Sequence, residues 1–230
     1  IFGCDFLSEN SKPLGGNFYI EDGWIAFSSE EYNLANDHFT RAIEVGDDSL
    51  NQFLASIGKG WTYIYISRTQ NNTIDLQIDL IESSSNNLKN AFDILPNLDV
   101  GSYTKQDKMN LFAGLTLQSA YQARQKTTNT ILWETLNDSI SYEVKNLYKN
   151  SILYSYEVSD TYTFNWDSDF NYQDIELIRI ESFILIGSLD SAITHYNDSF
   201  NCEGVNLVDK NNIIECFCRT LYNGICPFSE

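Results

Sequence analysis

The 230-residue chain is short of positive charge: 14 Lys and Arg stand against 32 Asp and Glu, a formal net charge of −18 at pH 7. A surface of that sign repels phosphate backbones and anionic membrane surfaces, which argues against nucleic acid as a partner. Long hydrophobic runs are also missing. Nothing approaches the roughly 18 consecutive apolar residues that a membrane-spanning helix needs. No G-x-S-x-G, H-E-x-x-H or phosphate-loop pattern occurs, and the only two histidines, His38 and His195, lie in apolar-faced helical stretches away from any nucleophile motif. Hydrolase, metalloprotease and nucleotidase chemistry therefore has no motif to rest on, and the chain reads as non-enzymatic. Aromatic residues, by contrast, are abundant at 14%. That takes the chain out of the low-hydrophobicity, high-charge range that stays unfolded.

The five cysteines divide into Cys4 alone and a C-terminal group of Cys202, Cys216, Cys218 and Cys226. Cys216 and Cys218 are too close to bridge each other easily, which pairs Cys202 with one and Cys226 with the other, in an order left open. Zinc is the rival reading, but structural zinc sites present C-x₂₋₄-C hooks and the spacing here is C-x-C. Disulfides imply an oxidising compartment outside the cytoplasm.

Between these cysteines the pattern is helical. Residues 21–43 carry apolar side chains at helical spacing with a break at 28–31, which predicts a helical hairpin. Its second helix places Leu34, Ala35, Phe39, Ala42 and Ile43 on one face, with alanines where a partner helix must come close. The Gly23-Trp24 pair recurs as Gly60-Trp61, again opening an apolar run, and residues 187–196 echo the turn and second helix. A helix is expected over 106–126, with Ala113-Gly114-Leu115 as a fainter echo. Gly23, Tyr32, Ala35, Phe39 and Ala42 fall at the spacings of the small, aromatic and alanine positions of the tetratricopeptide repeat, and Gly60, Gly187 and Ala192 take equivalent places further on; this part of the chain resembles that family. The resemblance implies an all-α fold of about three to four stacked hairpins, an α-solenoid with a concave surface for a peptide or a partner helix. Residues 201–230, with a helix near 209–222, would close it as a disulfide-tied cap.

Ile1-Phe2-Gly3-Cys4 resembles the lipobox of bacterial lipoproteins, an aliphatic, a variable and a small residue before the lipidated cysteine. The resemblance implies lipid attachment at Cys4, export to a bacterial cell envelope or the extracellular space, and membrane contact only through that anchor. Residues 1–20 are then a tether, with a polar, Gly/Pro-bearing stretch over 8–16. The same residues read alternatively as an arm that docks onto a neighbouring copy in an extracellular fibre.

Residues 154–173 alternate aromatic and polar side chains, which suits an extended loop inside the helical domain of 21–200. Tyr162, Phe164 and Trp166 either pack the loop down or form a recognition surface for protein or glycan. Asp167, Asp169 and Asn171 have the D-x-D-x-N spacing of a calcium loop, but the sixth position is Tyr172 and the twelfth Ile178, so an EF-hand is excluded and only a looser calcium site is left; no other cofactor is expected. Asn71, Asn137 and Asn197 head Asn-x-Ser/Thr triplets, which matter only where exported proteins are glycosylated. The leading expectation is a non-enzymatic protein–protein interaction scaffold. A self-assembling fibre subunit and a glycan-binding surface protein are the alternatives.

Overall fold

The computed structural model describes residues 15–46, 48–69, 72–126, 142–200 and 212–217. These residues are helical, apart from connecting turns and one long loop that contains a single antiparallel bridge, Thr163 to Asn171. The expected hairpin is present. Helix α1 (Gly16–Ser28) stops where Glu30 takes a left-handed φ of 61° and the N–H groups of Glu30 and Glu31 close onto the carbonyls of Phe27 and Ala26. Helix α2 (Tyr32–Val45) follows at once, so the break falls where the periodicity lapses. Because α1 starts at Gly16, residues 16–20 are helix rather than tether.

Polar side chains start the next helices. Asp48 accepts the Asn51 N–H at 2.7 Å at the head of α3 (Ser49–Ser67), and Thr73 accepts from Leu76 at the head of α4 (Ile74–Ile94). Pro96 lies in the 3₁₀ turn Leu95–Asn97 that follows. Helix α5 (Lys105–Lys126) opens on a reciprocal pair, Thr104 Oγ1 accepting from the Asp107 N–H and Asp107 Oδ2 from the Thr104 N–H. Helix α6 (Tyr142–Ser155) leads into the loop, and α7 (Tyr172–Leu185) begins on a capping box of Asn171 and Asp174. Gly187, at φ 84°, makes the turn into α8 (Leu189–Ser199), and residues 212–217 are again helical.

Each helix packs on the one after it, and α1, α3, α5 and α7 also touch one another at next-but-one positions. The odd-numbered helices thus share a layer. Glycines set the spacing of this arrangement. Phe39 of α2 lies fully buried between Gly23 of α1 and Gly58 of α3, and a Cβ on either glycine would come within 2.7 Å or 2.3 Å of its ring. One step along, Leu88 of α4 lies between Gly60 of α3 and Gly114 of α5, at 2.5 Å and 3.0 Å from the equivalent positions. A large side chain from an even helix therefore sits in a notch made by glycines of the two odd helices beside it, and the device occurs twice. Ala35 and Ala42 are fully buried beside Phe39, whereas Leu34, expected on the same face, is exposed.

Two apolar clusters make up the interior. The larger joins α1 to α5 with the loop and the start of α7; the smaller gathers the end of α5, α6, the rest of α7, α8 and residues 212–217 around Tyr148, Tyr196 and Phe217.

Candidate recognition surface

The loop between α6 and α7 folds back onto the odd-helix layer. Phe164 stacks on Trp61 of α3 at 4.2 Å between ring centroids and meets Trp24 and Phe27 of α1 edge-on. Trp166 lies parallel to Trp24, with centroids 5.2 Å apart and planes within 4°. Phe170 packs edge-on against Trp61, and Tyr162 against Phe170. Of the three aromatics read as recognition candidates, Tyr162 and Phe164 are 1% exposed and belong to the core; Trp166 alone reaches the surface.

Polar bonds hold the loop in this place. The Phe164 N–H donates to the Phe170 carbonyl and the Tyr172 N–H to that of Tyr162, both at 3.0 Å. Gln106 of α5 donates to the Thr163 carbonyl at 2.8 Å. Beneath it, the Tyr65 hydroxyl donates to Asp167 Oδ2, and burial, reinforced by that carboxylate, pushes the Tyr65 hydroxyl well above the usual phenol range. The Tyr162 hydroxyl, buried nearby, also has a raised pKa through burial, and it makes no hydrogen bond among the described residues.

Two of the three D-x-D-x-N side chains, Asp167 and Asn171, are engaged by the protein itself. Asp167 takes the Tyr65 hydroxyl and the Asp169 N–H, and Asn171 takes the Gln173 N–H as the cap of α7. Among the described residues no group of three or more His, Cys, Asp or Glu is placed to hold a metal ion.

A cleft of about 310 Å³ opens where Trp166 meets α1 and the start of α5. Its apolar wall is Ile20, Trp24, Leu54, Ile57 and Trp166, and its polar groups are Glu21, Thr104, Gln106, Asp107, Asn110 and Asn165. Asn110 is 4% exposed; its side-chain oxygen accepts from Gln106 at 3.1 Å and its main-chain carbonyl accepts the Trp61 indole N–H at 2.9 Å. Aromatic and aliphatic area beside a few fixed polar groups is the composition of a ligand-binding cleft.

At the other end of the loop is a network that no local pattern in the sequence announced. Arg179 of α7 is buried with Glu176, and its guanidinium also donates to Ser155 Oγ at 2.7 Å and to the Ser155 carbonyl at 2.6 Å. It lies over the Tyr156 ring at 4.6 Å. The other oxygen of Glu176 contacts His195 Nδ1 at 2.7 Å, and His195 Nε2 meets the Tyr156 hydroxyl at 3.1 Å. This ties α6, α7 and α8 together around the loop's first residue. The second histidine, His38, is partly buried, with its ring 6.4 Å from that of Tyr19.

The remaining sequence-derived positions are placed as follows. Gly23, Gly60, Ala35, Phe39, Ala42 and Ala192 are buried, Tyr32 is partly buried against Phe27 and Tyr65, and Gly187 is in the α7–α8 turn. Cys216 is fully buried beside Tyr196, whose hydroxyl donates to the Cys216 carbonyl at 3.1 Å. Asn197 is exposed near the end of α8. Cys4, Asn71, Asn137, Cys202, Cys218 and Cys226 lie outside the described residues. No helix among the described residues is long and apolar enough to cross a membrane. No protein-family model matches the chain, and neither the curated proteins nor the solved structures include a match to it.

Proposed function

We propose that this chain is a non-enzymatic helical-repeat scaffold that receives a protein partner on the face of its odd-numbered helices. The observation that carries this reading is the twice-used glycine notch, Phe39 between Gly23 and Gly58 and Leu88 between Gly60 and Gly114. A packing unit that recurs along consecutive hairpins supports a tetratricopeptide-like stack, whose use is to present an extended surface. The proposal extends to location. The lipobox-like Ile1-Phe2-Gly3-Cys4 supports an exported protein anchored at a bacterial envelope through Cys4. The disulfide-tied cap belongs to the same reading, supported by the spacing of the four C-terminal cysteines and by Cys216, buried beside Tyr196 and Phe217 in the second cluster.

A photo-crosslinking amino acid placed at Asn165, beside Trp166 in the loop, and in parallel at Leu34, exposed on α2, tests the scaffold. Saturable crosslinks to a distinct polypeptide from position 165 and not from 34 are expected. Equal labelling from both positions, or none, would reject it, and a ladder of crosslinked copies of this chain would replace it with fibre self-assembly. Mass spectrometry of the N-terminus of the native protein tests the anchor: acylated Cys4 is expected, and an intact Ile1-Phe2-Gly3 peptide overturns it.

A further inference from the structure

The cleft at Trp166 has a chemistry of its own. Two carboxylates, Glu21 and Asp107, stand among its polar groups, and among the described residues no Lys, Arg or His lines it. Glu21 is exposed on α1 and makes no hydrogen bond or ion pair among the described residues. Asp107 has Oδ2 engaged with the Thr104 N–H and hydroxyl, which leaves Oδ1 unengaged. Of the two lysines beside these residues on α5, Lys105 is exposed and outside the lining, and Lys108 pairs with Glu157 at 2.8 Å and lies over the Phe112 ring. The stacked Trp24–Trp166 pair lines the same cleft. Asn110 is more than nine-tenths buried, yet its side-chain amide N–H₂ donates to no group among the described residues.

These groups divide the work of recognition. An indole face attracts a cation through its quadrupole and offers apolar area to an aliphatic stem. Carboxylates beside it supply the opposite charge. An amide donor in the depth suits a peptide carbonyl. The surrounding chain, at −18, draws cationic partners in and repels anionic ones. We infer that this cleft takes a Lys or Arg side chain from an extended segment of the partner protein, with Trp166 against the stem, Glu21 and Asp107 toward the charge, and Asn110 toward the backbone. The inference rests on the scaffold reading and specifies its partner as a basic segment. A neutral sugar would also stack on Trp166 but would gain nothing from the charge.

Capped pentapeptides with a central arginine, lysine or citrulline, titrated into the full chain by calorimetry, test this directly. Arginine and lysine peptides are expected to bind, and citrulline, which keeps the shape and loses the charge, about tenfold more weakly. Glu21→Gln, at an exposed position with no partner to lose, is expected to weaken the arginine peptide by about tenfold, and Trp166→Leu to weaken both cationic peptides. Citrulline binding as well as arginine, an unchanged affinity in Glu21→Gln, or a neutral trisaccharide binding where the peptides do not would each overturn the inference. If the peptides fail while position 165 still crosslinks to a partner polypeptide, the scaffold stands and only the basic-segment assignment falls.

Discussion

Glu176 and Arg179 face each other one turn apart on α7, with side chains 1% and 4% exposed. At that depth the attraction between them roughly offsets the cost of removing both from water, so the pair adds little by itself; removing Arg179 leaves the buried Glu176 with only its His195 contact. Arg179→Ala also strips both bonds to Ser155 and the contact with the Tyr156 ring, so it is expected to lower the unfolding free energy by about 3–5 kcal/mol in urea titrations. A loss of under about 1 kcal/mol would show that His195 and water suffice to satisfy Glu176. Tyr162→Phe runs the other way. The Tyr162 hydroxyl is buried and unbonded, so replacing it by hydrogen removes a desolvated group and leaves the ring packing intact; a gain of about 1 kcal/mol is expected. Tyr65→Phe, which deletes the donor to Asp167, is expected to destabilise and to make the opposite sign at Tyr162 informative.

Among the elements, the glycine notches decide how close the helices come. At Gly58 an added methyl would come within 2.3–2.7 Å of the Phe39 ring, and at Gly60 within 2.5 Å of Leu88; helix α3 would have to move away from its neighbour. Gly58→Ala is expected to cost about 1–3 kcal/mol by thermal or urea unfolding, although alanine is intrinsically the better helix former. Pairing it with Phe39→Leu should recover part of the loss, because the two changes share one space. A stabilised Gly58→Ala would mean that the notch is loose. The same residues explain how much of the fold was legible beforehand. Gly23, Ala35, Phe39 and Ala42 lie within one hairpin, where a 3.6-residue period reveals which side chains share a face. Gly58 and Gly114 complete notches for side chains of a neighbouring helix, a relation between segments that periodicity does not carry. The stretch 154–173 was legible as non-helical from its alternation, and 156–171 is so while its two ends belong to α6 and α7; yet the inward turn of Phe164 and the outward place of Trp166 depend on Trp61 and Trp24, about a hundred residues or more away in sequence. The Glu176–His195 and Arg179–Ser155 bonds span 19 and 24 positions, and likewise leave no local trace.

At the scale of the whole molecule, charge and buried phenols act together. A net −18 spread over one chain repels itself in the compact state, so added salt near neutral pH is expected to raise the melting temperature until screening is complete, at about 0.5–1 M. Alkali adds a second effect with a definite sign. Burial raises the pKa of Tyr32, Tyr63, Tyr65, Tyr154 and Tyr162 above the ordinary phenol value, which is about 10 in the unfolded chain. The folded state therefore holds these protons more tightly than the unfolded state does. Their contribution to stability is fully present below about pH 10 and is lost as pH rises through the higher folded values, since the unfolded chain then releases protons that the native one keeps. Each tyrosinate formed also deepens a negative charge already in excess. The expected outcome is cooperative alkaline unfolding above about pH 10, in which far-UV circular dichroism and tyrosinate absorbance show a delayed fraction of the 14 tyrosines ionising together with helix loss. Tyrosine titration that runs to completion while the helical signal persists would show that water already reaches the Tyr65–Asp167 bond beneath the loop, and that the packing of the loop onto the odd helices opens without unfolding.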